Sequence, residues 1–194
     1  MLAVKQNTYP YLSEPDYLAT EQHSEERHEY VDGQVYAMAG TLLRHNDIAL
    51  NIAFALRTAA RGTPCKINMS AVKVRVQRSK AYYYPDVILS CQRDAADEYY
   101  LEHPCLIVEI SSPSTEWKDF TEKLIAYQKL ETLQVYLIVA QDQPQVTMFY
   151  RDPEGAWEVT RLDDLEPVLP LTCIEASLTL ATIYEGVDFS QAAE

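Results

Sequence analysis

The chain has 194 residues, 47% of them hydrophobic and 23% charged, a composition that excludes disordered and fibrous proteins. Its 16 Lys and Arg against 29 Asp and Glu leave a net charge of −13, which excludes a generally basic nucleic-acid binder. Any contact with a polyanion would have to use a local basic patch, a metal or a partner.

No apolar run reaches the roughly 18 residues that span a bilayer. Met1 to Pro10 carry no basic segment followed by an apolar core, so a cytoplasmic, non-membrane protein is expected. Cys65, Cys91, Cys105 and Cys173 are scattered without a Cys-x-x-Cys pair. That spacing speaks against a zinc ribbon or a disulfide framework, and buried free thiols in a reducing compartment are expected.

In chain order, Ser13-Glu14-Pro15-Asp16 predicts a helix start, with Ser at the cap and Pro and acids in the first turn. Residues 27–31 and 34–38 flank Asp32-Gly33, a two-residue hairpin signal. A long helix over about 42–61 follows from the spacing of Ile48, Ile52, Ala55, Leu56 and Ala59, and Gly62 ends it. Val72, Val74 and Val76 alternate with Lys73, Arg75 and Gln77 and predict a strand with one face buried. Apolar strands over 87–89 and 106–110 come next, joined by a polar, acidic loop (93–104) as antiparallel neighbours. A second helix is predicted over about 116–130 and a buried strand over 135–140. Residues 146–151 and 157–161 predict a closing hairpin around Asp152-Pro153-Glu154-Gly155. The order helix, three strands, helix, strand, with a hairpin at each end, is that of a mixed sheet with helices packed on it.

Glu109 lies inside a run apolar enough to be buried on both faces. Ionised and isolated there, it needs a cation or a proton, because burying a bare charge costs several kcal/mol. Asp86 stands just before the neighbouring strand, and adjacent strands are about 4.8 Å apart, so the two carboxylates could share one ion. Oxygen ligands of this kind suit Mg²⁺ or Mn²⁺ rather than zinc. A bland alternative pairs Glu109 with a buried Lys or Arg and leaves Asp86 as a cap after Pro85. On a regular second helix, Phe120, Leu124 and Tyr127 form the apolar stripe with Lys123 beside it, while Lys118, Glu122 and Lys129 point away. Lys123 could therefore reach the carboxylate pair, although a snorkelling lysine would also fit. Two acids and a lysine suit metal-assisted phosphodiester hydrolysis.

The segments Tyr84-Pro85-Asp86-Val87 and Val108-Glu109-Ile110-Ser111-Ser112-Pro113-Ser114-Thr115, then Lys123 and Tyr127, resemble the Uma family of putative restriction endonucleases, within the PD-(D/E)XK nuclease superfamily. The likeness also takes in Glu29-Tyr30-Val31-Asp32-Gly33, Met38-Ala39-Gly40, Arg44-His45-Asn46, Leu133-Gln134-Val135-Tyr136 and Ile183-Tyr184, so it covers nearly the whole chain. It implies an α/β, restriction-endonuclease-like mixed sheet with an αβββαβ core at about residues 41–140, inside one domain over residues 1–194. It further implies Asp86 and Glu109 as metal ligands, with the Ile110 carbonyl as a third. The position two after Glu109, where the superfamily carries lysine, is Ser111; similar proteins supply the lysine from the following helix, where Lys123 sits.

Substrate-side candidates are His45, Arg44, Ser111 and Glu29; a helix-end histidine and a hairpin glutamate are the plainer readings of the first and last. Tyr82-Tyr83-Tyr84 could stack on bases, though tyrosines on a half-buried strand usually serve packing. Lys73, Arg75, Arg78 and Lys80 could form a DNA-facing ridge or a solvated strand face. The expected function is a Mg²⁺-dependent endonuclease on duplex DNA, working as a homodimer by analogy with nucleases of this fold. The competing expectations are a catalytically silent binding or scaffold protein of the same fold, and a nuclease acting on RNA.

Overall fold

The computed structural model describes residues 11–92, 98–113, 115–165 and 168–190. Residues 1–10, where no secretory signal is expected, residues 93–97 of the acidic loop, and Ser114 of the matched block lie outside the described residues.

Ser13 caps α1 (Glu14–Glu21), its side chain accepting from the Asp16 N–H, with proline in the first turn. Asp32 and Gly33 take φ of 41° and 90°, the left-handed pair required by the tight turn between β1 (His28–Val31) and β2 (Gln34–Ala37). The long helix is α2 (Leu43–Ala59), which buries Ile48, Ala49, Ile52, Ala53 and Leu56.

The three-strand expectation needs one correction. The strand that joins the core before residue 87 is β3 (Lys66–Met69), which pairs antiparallel with β6 (Val87–Ser90). The alternating strand, β4 (Lys73–Val76), pairs instead with β5 (Ala81–Tyr83) in a second sheet. Alternation reported that one face of β4 is buried, but not against which sheet.

β7 (Tyr100–Leu101) joins that second sheet, whose order is β2-β1-β5-β4-β7. The main sheet continues with β8 (Leu106–Ser111), β9 (Val135–Ala140), β10 (Val146–Arg151) and β11 (Trp157–Leu162), in the order β11-β10-β9-β8-β6-β3. β8 runs antiparallel to β6 and parallel to β9, so a long crossover must join β8 to β9. It consists of α3 (Glu116–Lys118), a π-helical turn (Asp119–Lys123) and α4 (Leu124–Tyr127). The chain closes with the β12 (Val168–Leu171) and β13 (Ala176–Thr179) pair and the short α5 (Leu180–Ile183). The result is a mixed α/β fold, and none of the described helices is long and apolar enough to cross a membrane.

Alternation in the buried strands divides the main sheet into two faces. Val87, Leu89, Leu106, Val108, Leu137 and Val139 pack with Ile48, Ile52 and Leu56 of α2. Ile88, Ile107, Tyr136 and Ile138 pack on the other side with Val74, Val76 and Tyr83 of the second sheet and with Tyr127 of α4. By the same alternation Asp86 and Glu109 belong to this second face.

Two further expectations change. Cys65 and Cys91 extend the β3–β6 register one pair beyond Lys66 opposite Ser90, and they form a disulfide where free thiols were expected; Cys105 and Cys173 are free. Strand pairing brings together residues whose sequence separation is 26, so spacing motifs had no means of flagging them. Nor do the four basic residues form an open ridge. Arg75 is bound by Glu14 and Glu102, Arg78 by Glu131 and Lys80 by Asp32, while Lys73 is buried over the rings of Tyr17 and Tyr84. Tyr82, Tyr83 and Tyr84 are all buried, so they pack rather than present stacking surfaces.

Leu56 is fully buried between α2 and the sheet. Leu56→Ala is expected to lower unfolding free energy by about 2–5 kcal/mol, read from urea denaturation followed by circular dichroism.

Candidate functional site

β6 and β8 bring the two acids of the sequence reading together. Val87 pairs with Val108, and one step outward Asp86 stands opposite Glu109. Asp86 Oδ2 accepts the Ile110 backbone N–H at 2.7 Å, and its Oδ1 lies 3.0 Å from His45 Nε2 at the start of α2. Glu109 is buried, and its Oε1 accepts from the Tyr127 hydroxyl at 2.7 Å and lies 3.0 Å from Lys123 Nζ.

Lys123 is the hub of the charge network. It lies 3.2 Å from Glu29 Oε1 and 3.5 Å from Asp119 Oδ1, in addition to its contact with Glu109. Glu29 comes from β1 in the other sheet and also accepts from Lys118 Nζ at 2.6 Å. Lys118 therefore points into the site, contrary to the opposite-face expectation for a regular helix. The cause is the π turn over Asp119–Lys123: i→i+5 geometry stacks residues five apart, which places Lys118 and Lys123 over the same carboxylate. On an α-helix the two would diverge by about 140°.

The network orders the protonation states. Burial and the neighbouring Asp119, Asp86 and Glu29 push the Glu109 carboxyl well above its ordinary range, with Lys123 opposing them. Asp119 is raised by burial too, again against Lys123. Glu29 is also buried, yet Lys123 and Lys118 hold it below the ordinary carboxylate value. Lys123 is itself desolvated, but Glu109, Glu29 and Asp119 raise it well above the usual lysine value, so it is charged at neutral pH. Burial and Glu109 keep Tyr127 protonated, and it donates.

Glu29, Glu109, Asp119 and Lys123 of this network line a cavity of 490 Å³. Asp86, Glu109, Ile110, Lys123, His45 and Glu29, all named from sequence, line it. Ser111 and Arg44 do not: Ser111 is buried in the sheet with its carbonyl bonded to Gln141, and Arg44 Nε is buried without a hydrogen-bond partner. Asp119, Lys118 and Tyr84 also line the cavity and were not assigned to it from sequence. The four-residue spacing of Asp119 and Lys123 was the available signal for the first of these.

Among the described residues, no group of three or more His, Cys, Asp and Glu side chains stands ready to hold a metal. The donor set that remains is two opposed carboxylates beside the Ile110 backbone, hard oxygen ligands that leave most of an ion's shell to water and substrate.

A family model described as Uma2, putative restriction endonuclease, matches residues 14–182. An uncharacterised protein of Synechocystis sp. is 32% identical over 182 residues, spanning 93% of this chain and 95% of that protein. A second uncharacterised Synechocystis protein is 25% identical over 154 residues, 78% of this chain and 87% of its own length. Among solved structures, a putative nuclease belonging to DUF820 from Anabaena variabilis matches with a TM-score of 0.73 at 15% identity. That match covers 94% of this chain and 99% of the other, and it establishes the nuclease-like fold.

Lys123→Met would leave Glu29, Glu109 and Asp119 without their shared cation. Breaking a buried pair in this way is expected to cost about 3–5 kcal/mol at neutral pH. A carboxyl with a raised folded pKa contributes stability that is full below its unfolded value and is lost as pH rises through the folded one. The raised Glu109 and Asp119 therefore make the Lys123→Met penalty smaller near pH 5 than near pH 8. Paired urea denaturation curves at the two pH values read the difference directly.

Proposed function

The chain belongs to the Uma2 family of putative restriction endonucleases, and on that premise we propose that it hydrolyses phosphodiester bonds of duplex DNA, as one nuclease domain, using a Mg²⁺ or Mn²⁺ ion held by Asp86, Glu109 and the Ile110 carbonyl. The observation that carries this reading is the charge imbalance in the cavity. Four carboxyl groups, Glu29, Asp86, Glu109 and Asp119, share it with two ammonium groups, Lys118 and Lys123. The surplus drives Glu109 towards its protonated form, and a divalent cation answers the same demand while keeping the carboxylate ionised. When bound, the ion supplies a polarised phosphoryl oxygen and a water of lowered pKa.

The remaining roles fall to residues of the chain. Ile110 N–H and His45 orient the Asp86 carboxylate, and the Tyr127 hydroxyl orients that of Glu109. Lys123 takes the place of the lysine absent at Ser111 and stabilises negative charge developing on the phosphate. His45, at the cavity wall, contacts the phosphate. Lys118 holds Glu29 ionised, which in turn keeps Lys123 charged and in place. Because the net charge is −13, DNA is engaged through this patch rather than by the field of the whole surface. Two copies acting together address the two strands of a duplex.

One observation favours a silent binding protein instead: Lys123 is shared among Glu29, Glu109 and Asp119, which leaves it little freedom to follow a reaction.

Calorimetric titration with Mg²⁺ or Mn²⁺ is expected to show binding to wild type that disappears in Asp86→Ala. No binding to either protein, with or without a DNA duplex, would favour the silent reading. In a cleavage assay, Asp86→Ala, Glu109→Ala and Lys123→Ala should each lose about 100-fold or more of activity on duplex DNA. Faster cleavage of RNA would reassign the substrate, and normal cutting by Glu109→Ala would remove the proposed ligand set. Light scattering at micromolar concentration should give twice the mass of the chain; a monomer would count against the paired arrangement.

A further inference from the structure

The cysteines that looked unrelated in sequence meet at the end of the main sheet, bordering the core beneath α2. Cys65 and Cys91 are joined in the disulfide. Cys105 stands just before β8, its N–H bonded to the Leu89 carbonyl of β6, and its Sγ lies 3.7 Å from Cys91 Sγ, in contact with the disulfide. Cys173 completes the group, with its carbonyl oxygen 3.8 Å from Cys91 Sγ. Cys105 and Cys173 are free and only partly buried.

We propose that this cluster is a thiol–disulfide exchange site, in which the Cys105 thiolate attacks Cys91 Sγ and moves the cross-link from the β3–β6 pair to the β6–β8 pair. The Cys105–Cys91 bond forms as the Cys91–Cys65 bond breaks, and Cys65 leaves as a thiolate that takes up the proton Cys105 gave up. Electrons and protons balance within the cluster, so the step needs no oxidant.

Two features select this direction. Cys105 is the free thiol that touches a disulfide sulfur, and the sulfur it touches is Cys91. The neighbouring Cys105 thiol and burial push the Cys173 thiol up, so Cys173 keeps its proton and is not the attacking group. The outcome is structural: before exchange the staple fastens β3, the edge strand of the main sheet, and after exchange it fastens the two strands that carry Asp86 and Glu109. This inference does not rest on the nuclease reading.

The test is disulfide mapping of the full chain by proteolysis without reductant and mass spectrometry, with free thiols blocked by N-ethylmaleimide before digestion. Wild-type protein held near pH 8 without reductant is expected to gain a Cys91–Cys105 peptide with a matching loss of Cys65–Cys91. Reduced Cys65→Ser protein, reoxidised with glutathione disulfide, should form Cys91–Cys105 as its main internal cross-link. Cys105→Ser should retain Cys65–Cys91 unchanged. A wild-type map that shows Cys65–Cys91 alone at every time overturns the proposal. So does a Cys65→Ser protein whose Cys91 ends only as a mixed disulfide with glutathione, or a Cys105→Ser protein that still rearranges. The wild-type arm requires no variant to fold.

Discussion

Glu109 sits in the middle of a strand whose every residue is buried, and the rest of the site is a response to that placement. A carboxylate withdrawn from water costs several kcal/mol unless charge and hydrogen bonds are returned to it. Tyr127 returns a hydrogen bond and Lys123 returns the charge, but Lys123 is itself desolvated and must be supported by further acids. Glu29 and Asp119 provide that support, and their own burial raises the demand again. The network cannot become neutral with the cations it contains. That residual negative charge distinguishes the cavity from an ordinary buried ion pair and favours a proton on Glu109.

The geometry of the crossover is what allows one carboxylate to hold two lysines. A regular helix after β8 would send Lys118 to solvent. The π turn over Asp119–Lys123 sacrifices regular hydrogen-bond spacing and brings Lys118 and Lys123 to opposite oxygens of Glu29. The carboxylate belongs to β1, so the helix that follows β8 is fastened to the second sheet by charge as well as by packing. The second sheet is in turn anchored by a stack of Tyr17, Tyr30 and Tyr82, whose rings lie 4.9–6.0 Å apart. The site therefore draws on α2 for His45, on the main sheet for Asp86 and Glu109, on the crossover for Lys118, Asp119 and Lys123, and on the second sheet for Glu29. Few of these elements could shift without disturbing the charge balance.

Much of this was determined by the sequence itself. The capped first helix, the Asp32-Gly33 turn, the long amphipathic helix and the buried strands all follow from local chemistry. So does the oddity of an acid inside an apolar run, because burial cost depends on the residue's immediate neighbours. The approach of Asp86 to Glu109 was legible too, since antiparallel strands joined by one loop have few ways to pair. Only the tertiary structure could decide the partners that come from afar. The pairing of β3 rather than β4 with β6, the neutralisation of the basic strand residues by Glu14, Glu102, Glu131 and Asp32, and the recruitment of Glu29 all depend on how two sheets face each other. The π turn was invisible because side-chain periodicity presumes a regular helix. The cysteine cluster was invisible because strand register, not spacing along the chain, brings the sulfurs together. Local propensity acts over a few residues, whereas these contacts join segments tens of residues apart through the packing of the whole fold.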